Sequence, residues 1–129
     1  MSHDQADLAR LFVYGTLRPG GRWWHVVEPW VSAGCEASTP GALYVRIDGY
    51  PAAVLDEAST SRVHGAVLDL LVWQLDAVWA ELDEFEGDEY VRVVVTTSAG
   101  AAWAYHYLGA VEPHDHVADG RYREPSTLE

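Results

Sequence analysis

One stretch of this chain carries apolar residues at clear helical spacing, and it sits among short apolar segments that read as strands. Leu75, Val78, Trp79, Leu82 and Phe85 recur every three or four residues, which places them on one face of a helix over roughly Leu75 to Phe85. Asp76 in the first turn suits the helix dipole, and Gly87 supplies a left-handed stop. Strands are expected at Leu11 to about Gly15, Gly41 to Ile47, Ala52 to Leu55, Val63 to Val72, Tyr90 to Thr97 and Ala102 to Leu108. The turn formers Asp48-Gly49-Tyr50-Pro51 and Ser98-Ala99-Gly100 separate neighbouring strands. Residues 23–31 begin a short helix that Pro29 limits. Gly65, inside a strand, marks a bulge or the close approach of another group. A doubly wound sheet needs regular strand–helix alternation, which this order lacks. The expectation is an α+β fold, a small mixed β-barrel or strongly curved sheet with one main helix and short helical turns. It forms one domain over residues 1–129, with the folded part at about 10–109 and an irregular polar tail at 110–129.

The composition narrows the function. The 129 residues are 49% apolar, enough for one real core and too many for a disordered chain. A formal charge of −12 repels nucleic acid phosphates and anionic lipid, so neither is an expected partner. The apolar runs are far shorter than a membrane span, and Met1-Ser2-His3-Asp4-Gln5 has no basic n-region, so no signal peptide is expected. The single Cys35 cannot make an intrachain disulfide, which suits a reducing cytoplasm, and it reads as a small core residue.

The chemistry points to the start of the chain. Leu11-Phe12-Val13 breaks directly into Tyr14-Gly15-Thr16-Leu17-Arg18-Pro19-Gly20-Gly21. A glycine at the end of an apolar strand lets the chain bend and lets a ligand approach the main chain. Successive N–H groups in such a loop form a concavity for a carboxylate or another anion. The loop lacks the lysine and spacing of a nucleotide P-loop, so ATP is not expected. His114-Asp115-His116, with His106 nearby in sequence, matches none of the usual zinc motifs and reads as solvated tail, so no metal and no organic cofactor are expected. Glu86, at the point where the helix hands over to Gly87, is crowded by Asp83, Glu84, Asp88 and Glu89. Like charges of that kind raise a carboxyl pKa toward the range useful to a general acid/base.

Five segments in order then carry a resemblance: Phe12-Val13-Tyr14-Gly15-Thr16-Leu17; Gly41-Ala42-Leu43-Tyr44; Tyr50-Pro51-Ala52; Val63-His64-Gly65-Ala66-Val67; and Leu82-Asp83-Glu84-Phe85-Glu86-Gly87 followed by Tyr90 and Arg92. The chain resembles the gamma-glutamyl cyclotransferase-like proteins, most closely the branch that includes gamma-glutamylamine cyclotransferase. The match covers roughly residues 11 to 108. The resemblance implies a small mixed barrel with a cavity at one end, lined by the Tyr14–Leu17 loop, and Glu86 as catalytic acid/base. Substrate contacts are expected from Tyr14, Gly15, Thr16, Leu17 and Arg18, with Tyr50 and Pro51 at the mouth and Tyr90 and Tyr107 in the barrel wall. Many relatives carry a Gly-Asp-Trp-like segment in the tail, where this chain has Asp119-Gly120-Arg121-Tyr122. The resemblance implies that this departure bears on the outer wall of the pocket, and so on the choice of leaving group.

The implied activity is release of 5-oxoproline and a free amine or amino acid from a small γ-glutamyl compound. A non-catalytic ligand-binding or regulatory domain of the same fold is the alternative. A related acyl-removing step on a larger substrate would use the same site. A degenerate relative would be expected to lose the acid at position 86, and this chain keeps it. No motif specifies the leaving group or the oligomeric state.

Overall fold

The computed structural model describes residues 8–124. Its elements, in chain order, are β1 (Arg10–Val13), α1 (Trp24–Val27), β2 (Val31–Val45), β3 (Pro51–Leu55), β4 (Arg62–Leu70), α2 (Leu75–Glu86), β5 (Tyr90–Thr97) and β6 (Gly100–Tyr107). Single 3-10 turns lie at Glu28–Trp30, Val72–Gln74 and Pro113–Asp115. The six strands form one sheet in the order β3-β2-β4-β1-β6-β5. Every pairing is antiparallel except β1 with β6. Among the described residues, no helix is long and apolar enough to cross a membrane.

The sheet curls until its ends meet. β3 packs against β6 and β2 against β5. Across this seam the Leu55 N–H donates to His106 Nδ1 at 3.0 Å, and the Thr39 hydroxyl donates to the Thr96 carbonyl at 2.9 Å. The expected α+β mixed barrel is therefore present, nearly closed, with two short helices packed outside it. β2 is longer than the sequence signals. Its first half pairs with β4 and its second half, from Gly41, with β3. Gly41 (φ 156°) sits where the strand changes partner, and a Cβ there would press on the Val54 carbonyl.

Two cores explain why β1 reads as unbroken apolar sequence. Leu11 and Val13 face a core shared with Val27, Val78, Trp79 and Leu82 of the helices. Phe12 and Tyr14 face the barrel interior with Leu43, Ala53, Val67 and Ala104. A strand buried on both faces needs no polar alternation. The helical stripe behaves as its spacing predicts at Val78, Trp79 and Leu82, all buried, while Phe85 is partly exposed at the helix end. Gly87 ends α2 with φ 82°, and its N–H donates to the Asp83 carbonyl at 3.0 Å. Gly65 marks a close approach: a Cβ there would overlap the Val13 carbonyl oxygen of neighbouring β1.

Two expectations are corrected. Cys35 is exposed, not a core residue, because it lies in the stretch Ser32–Glu36 of β2, which is exposed throughout before the strand enters the barrel core at Ala37. The polar tail is irregular, yet it belongs to the fold well beyond Gly109. The Val117 N–H donates to the Leu43 carbonyl and the His64 N–H to the Gly120 carbonyl, both at 2.8 Å. Tyr122 is buried, and its hydroxyl donates to the Gly49 carbonyl at 2.7 Å. The last of the tail, residues 125–129, lies outside the described residues.

Candidate functional site

β1 delivers the Tyr14–Leu17 loop to one end of the barrel, and α2 delivers its last residue, Glu86, to the same end. Between them lies a cavity of about 320 Å³ lined by Phe12 to Leu17, Trp23, Arg46, Asp48, Tyr50, Pro51, Phe85, Glu86, Tyr90 and Tyr105. Seven of the expected site residues meet there besides Glu86: Tyr14, Gly15, Thr16, Leu17, Tyr50, Pro51 and Tyr90.

The loop is held by its carbonyls. The Gly15 carbonyl accepts from the Arg18 N–H at 3.2 Å and from Arg18 Nε at 2.8 Å, and the Thr16 carbonyl accepts from the Trp23 N–H at 2.9 Å. The N–H groups of Gly15, Thr16 and Leu17 have no partner among the described residues. Gly15 is required here by close packing, since a Cβ would overlap the Pro51 ring. The Tyr14 hydroxyl, deep in the wall, donates to the Tyr105 carbonyl at 2.7 Å, and burial keeps its pKa well above the ordinary value.

Glu86 is partly buried and has no hydrogen-bond or ion-pair partner among the described residues. Its carboxyl pKa is raised to about 7. The main cause is burial. Arg46 pulls it down and Asp83 pushes it up, both more weakly. The crowd of neighbouring acids invoked from the sequence is thus a minor contributor, with Glu84, Asp88 and Glu89 exposed at the surface. Low local dielectric disfavours the charged form whatever the neighbours.

Two expected contacts lie elsewhere. Arg18 points away from the cavity, its Nη2 donating to the Tyr122 carbonyl at 3.0 Å, so it ties the loop to the tail. Tyr107 lies behind the wall, its ring tilted against Tyr90 with ring centres 5.2 Å apart.

Phe12, Val13, Trp23, Arg46, Asp48, Phe85 and Tyr105 line the cavity too, beyond the residues the sequence points to. Arg46 bridges Asp48 at 2.9 Å and Glu89 at 2.7 Å, and lies over the Tyr90 and Tyr107 rings. Tyr90 in turn donates its hydroxyl to the Pro51 carbonyl at 2.6 Å, which fixes the mouth. Tyr105 donates its hydroxyl to Asp83 at 2.7 Å. Strand parity could have placed Tyr105 on the helix-facing side with Trp103; nothing local marks Arg46. Among the described residues no cluster of three or more metal-ligating side chains forms; His114 is exposed and lies 3.5 Å from the partly buried Asp115.

The family model for gamma-glutamyl cyclotransferase, AIG2-like, matches residues 11–124. The chain belongs to this family. A gamma-glutamylcyclotransferase family protein of Citrobacter rodentium is 33% identical over 116 residues, covering 88% of this chain and 94% of that one. Among solved structures, an uncharacterized protein of Pyrococcus horikoshii superposes with a TM-score of 0.68 at 22% identity, covering 88% of this chain and 89% of that one. An AIG2-like protein of Mus musculus superposes at 0.65 with 17% identity, covering 95% and 99%. The gamma-glutamyl cyclotransferase-like fold therefore extends through Tyr122, past the end of the segments that carried the resemblance.

Proposed function

We propose that the chain is a cyclotransferase that releases 5-oxoproline and a free amine or amino acid from a small γ-glutamyl compound. The observation that carries this reading is a partnerless carboxyl, Glu86, in a small cavity, with its pKa raised to about 7. A general acid/base works best when its pKa lies near the working pH.

The substrate's α-ammonium gives one proton to the Glu86 carboxylate. The freed α-nitrogen attacks the γ-carbonyl carbon and closes a five-membered ring. The tetrahedral centre then collapses, the bond to the leaving nitrogen breaks, Glu86 returns its proton to that nitrogen, and the ring nitrogen gives up its second excess proton, which departs with the amine as its ammonium. One carboxylate between two nitrogens performs both transfers, and no cofactor enters the balance. Holding the glutamyl chain in its ring-closing shape contributes on the order of 7–11 kcal/mol in well-oriented intramolecular reactions. The free N–H groups of Gly15, Thr16 and Leu17 suit the substrate α-carboxylate or the developing oxyanion. Tyr50 and Pro51 then bound the mouth through which the leaving group extends.

The experiment is incubation with γ-glutamyl amino acids, γ-glutamyl-ε-lysine, γ-glutamylamines and glutathione, following 5-oxoproline by mass spectrometry. N-acetylation of an active substrate removes the nucleophile, so its cleavage is expected to stop. Release of free glutamate, or cleavage of the acetylated compound, would overturn ring closure in favour of hydrolysis.

A further inference from the structure

Arg18 and the Asp119–Tyr122 tail are the two sequence features that the cavity leaves unused, and they meet in one place. A second groove, of about 640 Å³, shares no lining residue with the cavity. Arg18, Arg121 and Arg123 line it, with His64 and the hydroxyl residues Ser38 and Ser98. Arg62 borders it through hydrogen bonds to Ser38 at 2.8 and 3.0 Å.

The charge here runs against the rest of the molecule. The chain has 8 cationic side chains, all arginine, against 20 acidic ones. Four of those arginines gather around this groove; among the described residues Glu36 lines it, and Asp119 and Glu124 adjoin it. Asp119 is already taken by Arg123 at 2.6 Å. The Arg121 guanidinium has no hydrogen-bond or ion-pair partner among the described residues. Arg18 spends two of its five N–H donors on the Gly15 and Tyr122 carbonyls, neither of which neutralises its charge. The His64 imidazole is held below its usual pKa, first by burial and then by Arg121 and Arg62, as a locally positive field requires.

The geometry points to a binding site for a small phosphate-bearing anion in the groove between Arg18, Arg121 and Arg62, separate from the cyclotransferase cavity. Guanidinium forks match phosphate oxygens in pairs, and the Ser98 hydroxyl, which accepts from the Ser38 N–H at 2.9 Å, keeps its own proton to donate. The ligand is small because the overall charge of −12 repels an extended anionic surface or a polyanion, whereas a compact anion feels chiefly the nearby arginines.

The test uses pyrophosphate as the probe, titrated into the protein at constant ionic strength and followed by NMR of the backbone amides. Saturable shifts at residues 18, 38, 64, 98 and 121 are expected, with inorganic phosphate weaker at the same residues. Arg121→Gln is expected to weaken binding about fivefold to tenfold, and Arg121→Glu to abolish it. Arg121 is exposed, so both variants should fold, and Arg62→Gln serves as an independent second reading with a loss in the same direction. Glu86→Gln is expected to bind pyrophosphate as the wild type does, since the two sites share no residue. Shifts centred on the cavity, or affinity indifferent to both Arg121 and Arg62, would overturn the proposal. Arginine-dependent binding to phosphatidylserine vesicles without pyrophosphate binding would assign the groove to a lipid headgroup and overturn the small ligand.

Discussion

Asp83 and Glu86 stand one turn apart on the same helix, and their surroundings give them opposite properties. Asp83 accepts two hydrogen bonds from Arg92, at 3.0 and 3.1 Å, and one from Tyr105 at 2.7 Å. Arg92 is itself clamped between Trp79 and Trp103, 4.4 and 4.6 Å from their ring centres. Burial alone would raise the Asp83 carboxyl, but the hydrogen bonds from Arg92 and Tyr105 outweigh it and hold it below its ordinary value. Glu86 has the burial without the partners, and rises to about 7. Two carboxylates on one helix thus divide into an anchored anion and a partly buried carboxyl without a partner among the described residues. The division depends on who reaches them, not on residue type.

The largest expected effect tests the partnerless half of this pair. Glu86→Gln should lower turnover about 10²–10⁴-fold on a confirmed substrate while circular dichroism stays unchanged. Near wild-type turnover would end the assignment. The same substitution should also change how stability depends on pH. A carboxyl whose folded pKa lies above its unfolded value supports the fold fully below about 4.5 and loses that contribution as pH rises through about 7. Gln does not titrate, so between pH 5 and pH 8 the wild type should lose about 1–3 kcal/mol relative to Glu86→Gln in urea unfolding. Parallel pH profiles for the two proteins would show that burial does not hold the Glu86 proton.

Asp83→Asn should do the reverse. It leaves Arg92 between its indoles without a counter-charge, and should destabilise by about 1–2 kcal/mol, discounted because the carboxylate is half exposed. Turnover at the optimum should stay within about tenfold of wild type. The smallest effect is the most diagnostic. Removing the Asp83 charge takes away one influence that raises Glu86, so the acid limb of kcat/KM, expected near pH 7 in the wild type, should move to lower pH in Asp83→Asn. An unmoved limb would mean that the two carboxyls do not sense each other.

The sequence alone determined what depends on near neighbours. Helical spacing located α2 to within a residue, strand patterning located β3, β5 and β6 closely, and the ordered motifs pointed to the family and to the Tyr14–Leu17 loop and Glu86, which line one cavity. These signals are local because backbone periodicity and turn chemistry act over a few residues. Tertiary structure decided what depends on partners far apart in the chain. It buried the Glu86 carboxyl, brought Arg46 and Tyr105 to the cavity, and turned Arg18 toward Tyr122, 104 residues away. It also left Cys35 outside both cores and folded Tyr122 into one. A carboxylate's neighbours in sequence are fixed by covalent bonds. Its dielectric surroundings and its hydrogen-bond donors exist only once the sheet has curled and the helix has packed on it, and those set its chemistry.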